Sequence, residues 1–137
     1  MVHEDFSEEA LLKLKLKHPD AEVIAHPECM ENLLELADFI GSTSKLLQHT
    51  QTSSASTFIV ITEPGILHQM QKKVPNKKFL DVPGIDGCSC NTCPYMRMNT
   101  LEKLWHCLET LEPRIEMDEE LRVKALEPIQ RMLEMSK

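Results

Sequence analysis

Thr57-Phe58-Ile59-Val60-Ile61-Thr62-Glu63-Pro64-Gly65 is the stretch on which the fold turns. Its first six residues are β-branched or aromatic, which predicts a strand over 57–62. Pro64 then opens a helix over about 64–73, with Ile66, Leu67 and Met70 as its apolar positions. Working outward, the same pattern recurs three times. Residues 21–25 run into His26-Pro27-Glu28-Cys29, and residues 37–40 into Gly41-Ser42-Thr43-Ser44. Residues 78–82 run, through an irregular loop over 83–87, into Cys88-Ser89-Cys90-Asn91-Thr92-Cys93-Pro94. Between these strands lie helices expected at about 29–36 and 43–50. Ahead of them, Ser7 caps a helix that carries Glu8 and Glu9 in its first turn and ends at His18-Pro19. Strands and helices alternating through connectors of this length predict an α/β fold with a four-stranded parallel sheet. All four polar clusters then fall on one sheet edge, where open α/β sheets bind ligands.

The remaining chain is helical in pattern. Leu101, Leu104, Trp105, Leu108 and Leu111 share a helical face over about 94–111, and Pro113 stops it. A charged helix is expected over about 118–135, with a kink or restart at Pro128. Organisation therefore divides into an α/β domain over 1–93 and a C-terminal helical segment over 94–137.

Composition narrows the function. The 137 residues suit one domain with a core of its own. A net charge of −7 with only 4% aromatic residues argues against nucleic-acid binding. No apolar stretch approaches the roughly 20 residues that span a bilayer, so no membrane partner is expected. The acidic start Met1-Val2-His3-Glu4-Asp5 lacks the basic region of a signal peptide. Three of the five cysteines crowd together, as in intracellular metal or redox sites. The expected location is cytoplasmic.

Each cluster carries chemistry and a plainer alternative. Cys88-x-Cys90-x-x-Cys93 places Cys93 as the N-cap of a helix opened by Pro94, where the dipole favours thiolate. Thiolates there could ligate zinc or an iron–sulfur cluster, with Cys29 and His26 as the nearest additional donors; equally, the loop could hold a redox pair or incidental thiols. His26 and Glu28, two residues apart, could orient a substrate or move protons, or be ordinary residues of a strand end. Gly41-Ser42-Thr43-Ser44 offers backbone N–H groups and hydroxyls to phosphate or carboxylate, or simply caps a helix. Glu63 could face the same edge. Cys107 reads as a small core residue.

Taken together, His26-Pro27-Glu28-Cys29, Ala37-Asp38 to Gly41-Ser42-Thr43-Ser44, Thr62-Glu63-Pro64-Gly65-Ile66 and Cys90-Asn91-Thr92-Cys93-Pro94-Tyr95-Met96 through Leu101 resemble quinolinate synthase of the NadA type, in order and spacing across nearly the whole chain. The resemblance implies three similar α/β/α domains in the complete enzyme, this chain being the third, a three-layer sandwich, plus C-terminal helices. It implies synthesis of quinolinate from iminoaspartate and dihydroxyacetone phosphate, on the route to NAD. It also implies a [4Fe–4S] cluster held by one cysteine from each domain, with an open iron acting as Lewis acid.

Carried over by position, Cys93 is the cluster ligand, while Cys88, Cys90 and Cys29 are not. His26 and Glu28 match substrate-contacting and proton-transfer residues, and Ser42 and Thr43 match groups holding a substrate carboxylate or phosphate. His3, expected to bind substrate, matches a histidine that follows the second cluster cysteine by three residues; here Met1 stands two residues before it. The expectation is a chain inactive alone, completed by the first and second domains or by a complementary chain. Two other functions compete: a small zinc or redox module using Cys88, Cys90 and Cys93, and an assembly domain that docks on partner domains.

Overall fold

A computed structural model of the chain describes residues 2–85 and 92–136. A 3₁₀ turn at Val2–Glu4 precedes α1 (Glu8–Lys17), β1 (Glu22–Ala25), α2 (Glu31–Leu34), β2 (Phe39–Ile40), α3 (Thr43–Thr52), β3 (Thr57–Ile61), α4 (Gly65–Lys73) and β4 (Lys78–Asp81). After these come α5 (Pro94–Arg97), α6 (Leu101–Thr110) and α7 (Glu119–Met135). The chain forms two compact units, Met1–Met98 and Asn99–Lys137, so α5 belongs with the sheet.

The four strands are all parallel, in the order β2-β1-β3-β4. Alternation along the strands sorts side chains onto two faces. Val23, Ala25, Ile59 and Ile61 cluster with Leu11 of α1 and Leu33 of α2. Ile24, Phe58 and Val60 cluster with Leu46 of α3 and Met70 of α4. Helices therefore cover both faces, as the α/β sandwich reading requires. Because β1 and β3 are central and apolar on both sides, every residue from Phe58 to Ile61 is buried.

Local chemistry explains where elements end. Ser7 caps α1, its Oγ accepting from the Ala10 N–H at 3.2 Å. The strand expected over 37–40 shortens to two residues because the Asp38 carboxylate accepts the Val23 N–H at 2.8 Å. That donor is thereby taken by a side chain. The helix expected over 94–111 is two helices: Thr100 Oγ1 accepts from the Lys103 N–H at 3.2 Å and starts α6 afresh. Leu111 closes α6 in the left-handed conformation, φ 60°, its N–H donating to the Cys107 carbonyl at 2.8 Å. The restart expected at Pro128 is not found. The helix α7 runs through it, losing only the bond that an N–H at 128 would make to Lys124.

Ahead of the sheet, the N-terminal segment is stitched to the loop after β4. Phe6 bridges Gly84, the Ser7 N–H donates to the Pro83 carbonyl at 3.0 Å, and the Ile85 N–H donates to the Asp5 carbonyl at 2.8 Å. This lays Val2–Glu4 along the C-terminal edge of the sheet, next to the ends of β1 and β3.

Candidate functional site

In a parallel sheet all strand C-termini share one edge, and here β1 and β3 are neighbours whose chains leave toward opposite sides of the sheet. That divergence opens a crevice between their ends, the usual ligand position in such folds. The His26 N–H donates to the Ile61 carbonyl at 3.0 Å, extending the β1–β3 pairing by one residue and fixing the imidazole at the crevice.

Four polar side chains converge there. The ring of His3 lies flat on that of His26, centroids 4.2 Å apart and planes 9° from parallel. His3 Nδ1 is 3.0 Å from Glu28 Oε2, and its Nε2 is 3.2 Å from the hydroxyl of buried Thr62. A carboxylate only accepts, so His3 Nδ1 carries a proton. In the neutral ring Nε2 then accepts from the Thr62 hydroxyl; in the imidazolium it donates to it. The Glu28 N–H donates to His26 Nδ1 at 3.3 Å, which puts the proton of neutral His26 on Nε2. Burial and the charge of His3 hold His26 below the ordinary histidine range, with the Glu28 carboxylate pulling the other way.

The crevice widens into a cavity of about 610 Å³ walled by His3, Glu28, Glu63, Cys93 and Met96 with Val2 and Glu4. Cys93 is half-buried and is the N-cap of α5 with Pro94 at N1, as its sequence predicts; its side chain makes no capping hydrogen bond. Glu63 is oriented by its own helix start, Oε2 accepting from the Gly65 N–H at 2.7 Å.

The structure thus brings His3, His26, Glu28 and Cys93 together from three distant parts of the chain. Ser42 and Thr43 stand on the same sheet edge, at the start of α3, with the Gly41 N–H bonded to the Ala25 carbonyl at 3.1 Å, but they are not in the cavity wall. Cys88 and Cys90 lie outside the described residues. Cys29 is buried in the apolar cluster of α1 and α2, its Sγ donating to the Ile61 carbonyl at 3.5 Å. Burial pushes its thiol up to about 11, so it is no ready thiolate donor at neutral pH. Thr62 is the residue that motif reading passed over. It heads the Thr62-Glu63-Pro64-Gly65-Ile66 run, but nothing local in the sequence marks its hydroxyl for a role.

A two-faced parallel α/β domain with imidazoles, carboxylates and a thiol at its switch point belongs to the ligand-binding α/β proteins. The family model for quinolinate synthetase A protein, NadA, matches residues 1–134, and the chain belongs to that family. Relatives named quinolinate synthase include those of Prochlorococcus marinus strain MIT 9303, 72% identical over 98% of this chain, and of Microcystis aeruginosa, 58% identical over 99%. A third, from Thermosynechococcus vestitus, is 58% identical over 99%. The chain spans 40% of the length of the first of these and 43% of the other two. No helix among the described residues is long and apolar enough to cross a membrane.

Proposed function

We propose that this chain is the part of a cytoplasmic quinolinate synthase that supplies one cluster cysteine and the proton-handling residues for condensing iminoaspartate with dihydroxyacetone phosphate in NAD biosynthesis. The observation that carries this reading is the convergence of His3, Glu28 and Cys93 on one cavity, with His26 stacked against His3. The reaction must strip protons from carbon, form new bonds to the ring and shed phosphate and water, so it needs a base, an acid and anion holders in one place.

Glu28 is the base. It is exposed to the cavity side and held beside His3 rather than neutralised by a lysine or arginine. His26, neutral and protonated on Nε2, is the donor that meets a developing oxyanion or a leaving hydroxyl. His3, its Nδ1–H directed at Glu28 and its Nε2 at the Thr62 hydroxyl, holds the Glu28 carboxylate in position. Ser42, Thr43 and the free N–H groups at the start of α3 hold a substrate carboxylate or phosphate.

The donor set also suits an iron–sulfur cluster. Cys93 is a soft ligand, half-buried in the cavity wall, with no capping bond to give up. Cys93 would hold one iron; the other ligands come from the first and second domains or from a complementary chain. When bound, the cluster supplies a Lewis acid toward substrate oxygens and nitrogens.

The test is anaerobic iron–sulfur reconstitution of this chain together with a polypeptide covering the rest of a full-length relative. Cluster absorbance and quinolinate formation should appear in the mixture and be lost on Cys93→Ser. Stoichiometric zinc uptake by this chain alone, lost in Cys90→Ser, would favour the zinc or redox module instead.

A further inference from the structure

We propose that His3, His26 and Glu28 also form a binding site for a divalent transition-metal cation of the zinc class, and that filling it shuts down the crevice by taking its imidazoles and carboxylate. The site uses only this chain's own nitrogen and oxygen donors, so it stands whether or not the chain serves a quinolinate synthase.

Geometry comes first. One ligand atom from each of the three residues lies within 4.8 Å of the other two. Glu28 Oε2 is 3.0 Å from His3 Nδ1 and 3.8 Å from His26 Nδ1. Zinc bonds of about 2.0–2.1 Å in a tetrahedron place donors roughly 3.4 Å apart, which falls between those two separations. Closing on one ion requires the two imidazoles to tilt out of their parallel stack so that both ring nitrogens point at it, while the Glu28 carboxylate swings in. Glu28 has a side chain 73% exposed, whereas the imidazoles are 17% and 15% exposed and stacked.

The donor set is the second argument. Two histidines and one carboxylate make a three-ligand zinc site with the fourth position open, and two of the three, His3 and Glu28, line the cavity. Thr62 is the third argument. A metal-bound histidine normally donates its other ring N–H to a fixed acceptor, which sets the tautomer and the ring plane. With Nδ1 of His3 on the cation, the proton moves to Nε2, and the buried Thr62 hydroxyl is already 3.2 Å away to receive it. The Glu28 N–H then gives up its long bond to His26 Nδ1 and remains in an exposed turn, where water replaces it at small cost.

Cobalt(II) is the probe, because its spectrum reports both geometry and ligand type. The full chain carrying Cys88→Ser, Cys90→Ser and Cys93→Ser is titrated with Co²⁺. One equivalent should bind, with visible ligand-field bands and no sulfur-to-cobalt charge transfer, and Zn²⁺ should displace it. Glu28→Gln or His26→Asn should weaken uptake at least tenfold. Thr62→Val should weaken it by about 10–100-fold through loss of the outer hydrogen bond, with unchanged circular dichroism in each case. Absence of saturable uptake, a sulfur charge-transfer band, or uptake indifferent to both Glu28→Gln and His26→Asn overturns the proposal. None of these outcomes touches cluster assembly, which Cys93→Ser reads separately.

Discussion

Replacing Glu22 by glutamine tests the electrostatic account of the sheet at the end opposite the crevice. Glu22 begins β1 and its side chain is 21% exposed. One carboxylate oxygen takes a short contact from His49 Nε2, and the other accepts from the Ser53 hydroxyl at 2.6 Å. The His49 ring is in turn stacked on Phe39, centroids 3.9 Å apart. Burial pushes the Glu22 carboxyl up, yet the hydrogen bonds from Ser53 and His49 and the charges of His49 and Lys77 outweigh it and hold the group below its ordinary 4.5. Glutamine keeps the shape but presents an N–H₂ to one of the two donors, so one charge-assisted bond is lost and the other becomes neutral. With hydrogen bonds to charged groups contributing about 1.5–3 kcal/mol each and neutral ones about 1, Glu22→Gln should cost about 2 kcal/mol at pH 7. For a unit of this size that corresponds to a melting shift of about 8–16 °C. The folded carboxyl titrates below the unfolded one, so its contribution is complete above 4.5 and disappears as pH falls through the folded value. The gap between wild type and variant should therefore shrink as pH falls below 4.5. Amide exchange at Ile59 and Val60, in the central strand, reads the opening free energy of this unit. A gap under about 0.5 kcal/mol at pH 7, or one that does not change with pH, would refute the reasoning.

Three further outcomes follow from the same geometry. In an NMR titration His26 should protonate below the ordinary 6.5, and Glu28→Gln should lower its pKa further by removing the charge that pulls it up. Between the folded value and 6.5 the unfolded chain binds more protons at this site, so His26 makes stability rise with pH across that window. Gly41→Ala should cost about 1–3 kcal/mol in thermal unfolding, because the added Cβ would sit 2.9 Å from Lys45 Cβ and 3.1 Å from the Phe39 ring, neither a flexible chain end. Pro128→Ala should strengthen α7 by up to about 3 kcal/mol, seen as slower amide exchange on either side of position 128; unchanged exchange would mean that the helix does not bear the missing bond.

Sequence was most informative where one force dominated. The run from Thr57 to Ile61 is apolar on both faces, and no other element could bury it; the parallel sheet and its ligand edge followed from that. The convergence of His26, Glu28 and Cys93 was legible because strand direction alone puts their loops on one edge. Element ends were harder, since single hydrogen bonds decide them. The carboxylate of Asp38 trims β2, and the Thr100 hydroxyl separates α5 from α6; either residue could equally have faced solvent. Pro128 suggested a break, yet a long helix tolerates one missing bond. The contact of Thr62 with His3 joins positions 59 residues apart in the chain, and no local pattern encodes it.

The bond from the His26 N–H to the Ile61 carbonyl gives the crevice two mechanical characters. On one side the imidazole inherits the stiffness of the β1–β3 ladder and should show the high backbone order of a sheet interior. On the other, Glu28 rides on an exposed turn two residues later, its side chain 73% exposed and tied, among the described residues, only to His3 and His26. A stiff imidazole beside a more exposed carboxylate gives the crevice one fixed wall and one adjustable one.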